Sequence, residues 1–312
     1  MTTRSVILAL MKKNVLNFFW KLALAFSVAG CSLDDSHSED LPEIGPFQCA
    51  SRDFSVDNPP SRVAVLGNSL LMGNGSFGVC ASDSTKDYFF RLDSAFRKAN
   101  PKCVSRRIMA KNLELMDNSE DFENGLKEIL APQLSKNLDL VIVQLGDNID
   151  GDEAYEWIVY FVEGVLGTIH KHAPRAKVAW VGEWYSSDKK QYALREATQA
   201  HNVQFIDISS IKSDSTEGDV GDIIAYPEQR VQSIPYKSFS VEGDSLLTVV
   251  FEEGGEKYEA TVPMDSYHDY PEESRLDLVG HQGVVIDAMM ASHPNDYGFK
   301  LIAEKILEEL GF

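Results

Sequence analysis

Positive charge is scarce in this sequence: 29 lysines and arginines stand against 48 aspartates and glutamates, a formal net charge of −19. A protein that grips nucleic acid needs a basic face to neutralise phosphates, so this balance excludes a nucleic-acid partner. Neutral or cationic substrates suit it better. Cysteine is sparse too, with four in 312 residues. If Cys31 is set aside for the reason given below, Cys49, Cys80 and Cys103 remain. An odd number cannot all pair, and the sequence does not choose among them. Internal repeats are absent, and no low-complexity tract occurs outside residues 31–60. What is present is a 44% hydrophobic content, enough for one large domain or two small ones.

The N-terminus reads as a targeting segment. "MKKNVLNFFWKLALAFSVAGC" opens with two lysines and continues with an apolar run too short for a comfortable membrane span. Small residues then precede Cys31. Val28-Ala29-Gly30-Cys31 resembles the bacterial lipoprotein cleavage box, which implies a signal peptide over residues 1–30 and a lipid on Cys31. The implied localisation is the cell envelope, with a lipid anchor in the outer membrane. Residues 31–60 are acidic, bear serine and proline and lack apolar periodicity, as in a flexible tether. Their acidic start resembles the surface-export signal of some bacterial lipoproteins.

From residue 61 onward, β-rich apolar runs alternate with helix-period segments, the pattern of a parallel sheet wrapped by helices. Strands are expected at Val63–Leu66, Cys103–Ile108, Leu138–Leu145, Lys177–Val181 and Val203–Ile206. Helices are expected at Thr85–Ala99, Glu120–Leu130 and Ala154–His172, with a last one beginning near Tyr297. Ser84-Thr85-Lys86-Asp87 has the form of a capping box for the first, which would bury Tyr88, Leu92, Ala95 and Phe96. Residues 221–285 break the rhythm. Turns at Val241–Asp244 and Glu253–Glu256 between strand-type residues predict a small β-rich insertion of antiparallel hairpins before the last helix.

A glycine-rich loop follows the first strand, and Gly73-Asn74-Gly75-Ser76-Phe77-Gly78 fits G-x-G-x-x-G letter for letter. A dinucleotide fingerprint needs its first glycine at the strand end and a helix directly after. Gly73 lies six residues beyond Gly67, no helix begins at Gly78, and no Walker-type lysine is present. The loop is read instead as a wall beside Ser69. In an open parallel sheet, functional groups gather at the carboxyl ends of the strands. Three stretches would meet there: Gly67-Asn68-Ser69-Leu70, Gln144 to Asn148, and Ser292 to Gly298. Ser69 could act as a nucleophile, which needs a base, and His293 stands in the one histidine-bearing loop at that edge. The Ser69 N–H and the Asn148 carboxamide could receive an oxyanion. Trp180, Glu183, Trp184 and Tyr185 follow the fourth strand, where aromatics either stack on a sugar or pack under the insertion. His268, Asp269, Glu272 and Glu273 match no defensible metal-ligand spacing and read as a solvated acidic loop.

Taken together, Gly67-Asn68-Ser69-Leu70, Gly146-Asp147-Asn148 and His293-Pro294-Asn295 resemble the blocks of the SGNH (GDSL-type) hydrolase superfamily, in a bacterial variant with GNS in block I. The resemblance implies a flavodoxin-like three-layer α/β/α fold around a five-stranded parallel sheet. It implies a serine esterase that needs no cofactor and removes acyl groups, often acetyl, from a carbohydrate or small ester. Ser69 would be the nucleophile, His293 the general base and Asn148 an oxyanion donor. Gly67, Ala110 and Gly146 would contribute to the oxyanion site or the substrate wall. Two departures stand out. The position three before the histidine, an aspartate in the family, is Met290 here, and the nearest upstream carboxylate is Asp287. The histidine is therefore oriented either by Asp287 or by a backbone carbonyl. The block after the second strand lacks its glycine, leaving Ala110 or a neighbour to donate. These departures keep open a catalytically weak, glycan-binding surface lipoprotein, and the same residues would also serve an acyltransferase.

Overall fold

The computed structural model describes residues 41–42, 44–73, 77–150, 155–243, 246–263 and 266–312. The expected signal peptide, Cys31 and the start of the tether lie outside these residues. Five parallel strands form the central sheet: β1 (Arg62–Gly67), β2 (Val104–Met109), β3 (Leu140–Gln144), β4 (Lys177–Val181) and β5 (Gln204–Ile206), in the order β2-β1-β3-β4-β5. The inner strands β1 and β3, "RVAVLG" and "LVIVQ", are apolar at successive positions because both of their faces are covered. Alternate residues divide between two cores. Ala64, Leu66, Val141 and Val143 face one layer, and Val63, Val65, Leu140 and Ile142 face the other.

The helices are α1 (Tyr88–Ala99), α2 (Lys111–Glu114), α3 (Ser119–Gly125), α4 (Tyr155–His172), α5 (Asp188–Ala200) and α6 (Asp296–Leu310). Residues of α3, α4 and α5 pack into the first core, and those of α1 and α6 into the second, giving three layers. Helix α1 begins three residues later than the capping-box pattern predicts. Its N-cap is Asp87, whose Oδ1 accepts from Phe90 N–H at 2.8 Å while Oδ2 pairs with Arg107 at 2.7 Å. That buried ion pair outweighs the exposed Ser84 as a starting point. The α3 helix ends at Gly125, and a π-helical turn continues it over Leu126–Leu130. Helix α5 carries no sequence signal of note. Its apolar side is mostly alanine, with Ala193, Leu194 and Ala197 buried beside a buried Lys190.

Between β5 and α6 the chain forms β6 (Ile223–Pro235), β7 (Ser238–Glu242), β8 (Leu246–Glu253), β9 (Glu256–Pro263), β10 (Ser266–Tyr270) and β11 (Arg275–Val285). They make two antiparallel three-stranded sheets, β10-β11-β6 and β7-β8-β9, sharing a core of Ile234, Leu247, Val249, Phe251, Val262, Leu276 and Leu278. The predicted reversal between β8 and β9 uses Gly254 and Gly255 at positive φ, where L-residues are strained. The other predicted turn, Val241–Asp244, ends outside the described residues. The stretch expected as a tether is not free over its second half. Ile44 and Phe47 pack on one core, Phe54 enters the other, and Cys49 N–H bonds the His201 carbonyl at 3.0 Å. Cys49, Cys80 and Cys103 are buried and unpaired.

Candidate active site

Ser69 stands at the carboxyl edge of the sheet because the chain turns as soon as β1 ends. The Asn68 carbonyl accepts from Leu71 and Met72 N–H, both at 3.0 Å, and its side-chain Oδ1 accepts from Leu70 N–H at 3.1 Å. This Asx-type turn lifts Ser69 to partial exposure between buried neighbours. The Ser69 N–H has no acceptor among the described residues. The glycine loop then doubles back: Gly73 N–H bonds the Phe77 carbonyl and Val79 N–H bonds the Ser69 carbonyl. Residues 74–76 of the loop lie outside the described residues.

His293 arrives from 224 positions away and places Nε2 3.0 Å from Ser69 Oγ. Its loop is pinned by Ser292 N–H to the Gly218 carbonyl, by Gly218 N–H to the His293 carbonyl, and by Trp184 Nε1 to the Ser292 carbonyl at 2.7 Å. The Tyr185 ring meets the imidazole edge to face, 5.7 Å between centroids. On the far side, Nδ1 lies 2.9 Å from the Met290 carbonyl. A carbonyl only accepts, so Nδ1 carries the proton, Nε2 holds the lone pair and the Ser69 hydroxyl donates to it. Burial lowers the imidazole pKa from its ordinary 6.5, with the Met290 hydrogen bond opposing, which keeps the ring neutral at pH 7.

Asp287 does not touch the imidazole. Its Oδ1 accepts from Met290 N–H at 2.9 Å and its carbonyl accepts from Ala291 N–H at 2.8 Å, so the carboxylate caps the turn that presents the Met290 carbonyl. Of the two orienters that the sequence leaves open, the carbonyl is the one in contact. Asp287→Ala is therefore expected to lower kcat/KM on an aryl ester by about fivefold, the equivalent of ~1 kcal/mol of lost cap. A triad aspartate would cost ~10⁴ instead. Steady-state kinetics on the purified variant distinguish the two.

Three backbone positions need correction. Gly67, expected at the oxyanion site or the substrate wall, ends β1 in extended form. A Cβ there would lie 2.7 Å from that of Leu71 and 3.1 Å from the Tyr88 hydroxyl, so close packing demands the glycine. The Ala110 N–H, expected as an oxyanion donor, bonds the Gly67 carbonyl at 2.9 Å, because the β1–β2 ladder runs one residue past the strands. Gly146 does turn left-handed, with φ of 129°, but its N–H is bound to Glu114 Oε1. Trp180 and Trp184 are fully buried packing residues and present no ring to a ligand.

Asn148 lies in the turn after β3, and its Nδ2 donates to Glu114 Oε2 at 2.7 Å. The same turn is held from behind by Lys190, whose Nζ donates to the Gly146 and Ile149 carbonyls at 3.2 and 2.9 Å and pairs with Glu183 at 2.6 Å. Burial pushes the Glu183 carboxyl up to about 8 against the pull of Lys190. Asp147 bridges outward: Oδ1 accepts from Tyr185 N–H at 2.9 Å and Oδ2 from Asn68 Nδ2 at 3.2 Å. Glu114 had no part in the sequence expectations. It sits on a four-residue helix too short for periodicity, and the one hint was a carboxylate next to the apolar Leu113 and Leu115. Chemically, the assembly pairs a hydroxyl with a neutral imidazole of fixed tautomer, beside a clamped carboxamide.

No protein-family model and no curated protein matches this chain. Its structure is similar to a two-domain esterase active on acetylated mannans, co-crystallized with mannopentaose, at a TM-score of 0.42 and 14% identity, over 80% of this chain and 48% of that one. This chain thus spans about half the length of that esterase. An extracellular lipase from Streptomyces rimosus shares 19% identity at a TM-score of 0.30, over 48% of this chain and 81% of the lipase. A Corynascus carbohydrate esterase family 2 enzyme with a carbohydrate-binding domain shares 17% identity at 0.34, over 52% and 58%. These three solved structures are two esterases and a lipase, each of low sequence identity to this chain.

Proposed function

We propose that this protein is a serine esterase that removes an acyl group, in particular acetyl, from a carbohydrate or small ester. The reading is carried by the 3.0 Å contact of Ser69 Oγ with His293 Nε2, whose partner nitrogen is tied to a carbonyl. His293 takes the hydroxyl proton as Ser69 Oγ attacks the ester carbonyl. The charge that develops on the carbonyl oxygen is met by the Ser69 N–H and the second Nδ2 hydrogen of Asn148. Collapse expels the alcohol, which takes the proton from His293 and leaves an acyl-Ser69. Water then repeats the sequence: His293 accepts its proton, the acid departs and Ser69 Oγ regains the proton. A lipid on Cys31 would hold the catalytic domain at the outer membrane, near glycans of the envelope or beyond.

A fluorophosphonate should label the purified protein at a single serine, and peptide mass mapping should locate it at Ser69. Absence of label at Ser69, together with no hydrolysis of an aryl acetate, would overturn the reading.

A further inference from the structure

Glu114 closes α2 with its side chain buried, at 4% exposure, directly beneath the turn that carries Asn148. Its partners are N–H donors rather than a lysine or arginine. Oε1 accepts from the Gly146 N–H, from Asn68 Nδ2 at 3.3 Å and from the Asn148 N–H at 3.4 Å, while Oε2 accepts from Asn148 Nδ2 at 2.7 Å. One carboxylate thus ties the turn after β1, which presents Ser69, to the turn after β3, which presents Asn148. We propose that Glu114 is a positioning residue for ester hydrolysis, fixing which edge of the Asn148 carboxamide faces the oxyanion. This rests on the esterase reading of Ser69 and His293.

The argument concerns the polarity of an amide. A carboxamide is nearly the same shape with its oxygen and nitrogen exchanged, so its neighbours decide which way it points. An ionised carboxylate only accepts, so Oε2 selects Nδ2 and repels Oδ1. One Nδ2 hydrogen is consumed by Glu114 and the second is left for the oxyanion. If Asn148 turned over, it would set an oxygen lone pair against the developing negative charge, the opposite of what the reaction needs. Glu114→Gln retains the shape and the Oε1 contacts but substitutes an amide donor for Oε2. Donor then faces donor, and the relief is for Asn148 to turn over.

The surrounding charges add a readout that packing alone would not give. Asp147 and Glu183 face Glu114 from the turns after β3 and β4, Lys190 lies behind Glu183, and Lys111 begins the same short helix. Burial and then Asp147 push the Glu114 carboxyl up to about 7, with its donors opposing. Below that pH it gains a proton, one oxygen becomes a donor and the acceptor set breaks. The acid limb of kcat should thus fall near pH 7 in the wild type, and below 6.5 in Glu114→Gln, where the limb follows His293 in place of Glu114.

The test is full kinetics on an aryl acetate with Ser69 labelling as a parallel measurement. Glu114→Gln is expected to lower kcat ~10²-fold with KM within about twofold. In an Asn148→Ala background the same change should cost less than about threefold, because the effect passes through Asn148. Glu114→Asp, an acceptor of the same charge, should recover at least about tenfold of the loss, and it replaces Glu114→Gln as the test if the glutamine variant does not fold. Ser69 labelled in the wild type, with kcat of Glu114→Gln within about threefold of it, overturns the proposal and leaves the esterase intact. An equal loss in the Asn148→Ala background overturns it too. A wild type neither labelled nor active removes both.

Discussion

Ser69→Ala is expected to lower kcat/KM on an aryl acetate by ~10⁴- to 10⁶-fold while leaving the fold as it is. The hydroxyl is partly exposed and donates to His293, so removing it opens no large cavity and releases only the Nε2 acceptor of a ring that is itself partly exposed. The thermal midpoint should move by no more than about 2–4 °C, the equivalent of ~1 kcal/mol in a domain of this size. On the proposed mechanism the rate effect is large because Ser69 would supply the covalent intermediate itself. Without its hydroxyl, the Asn148 carboxamide and the backbone N–H at position 69 would still polarise a bound ester, and the residual rate would come from direct attack by water. Steady-state kinetics and a thermal melt on the two proteins measure both halves. Undiminished turnover in the variant would mean that another group attacks the ester, and the role given to Ser69 would fall.

Much of this arrangement was legible in the residues, for identifiable reasons. The inner strands are apolar without a break because helices cover both of their faces, and such runs are visible in "VAVL" and "LVIV". Gly254-Gly255 marks its hairpin because positive φ selects glycine. Ser69, Asn148 and His293 stood out because each follows a strand or precedes the last helix, where the topology gathers side chains. What stayed hidden was the part played by main chain and short segments. Any residue can offer a carbonyl, so nothing in the letters marks Met290 as the partner of His293, and attention falls on Asp287 instead. The loss of Ala110 as a donor depends on a ladder bond one residue beyond a strand end. Helix α5 escaped notice because alanine and a buried lysine make a weak apolar stripe. Glu114 is invisible for a related reason: its four donors come from residues 32 to 46 positions away, which only the folded sheet brings together.

His293→Ala should cost as much as Ser69→Ala, ~10⁴- to 10⁶-fold in kcat, but with a different dependence on pH. In the wild type the His293 imidazole is neutral at and above pH 7, since burial holds its pKa below 6.5, and Glu114 is ionised once the pH passes about 7. Between about pH 9 and 10 neither group changes charge, and Glu183, at about 8, is already ionised, so the wild-type rate should be flat there. The alanine variant has no internal base, and its Ser69 hydroxyl must lose the proton to solvent. Its residual rate should climb about tenfold per pH unit over the same interval, following hydroxide. Removing the imidazole also releases the Met290 carbonyl, which keeps the Cys80 thiol as a donor at 3.1 Å and so is not orphaned. The turn that Asp287 caps should therefore survive, and the loss can be assigned to the missing base. A pH–rate profile of the two proteins decides the matter. A flat profile for the variant at a rate near that of the wild type would show that His293 is not the base, and Ser69 would need another group to accept its proton.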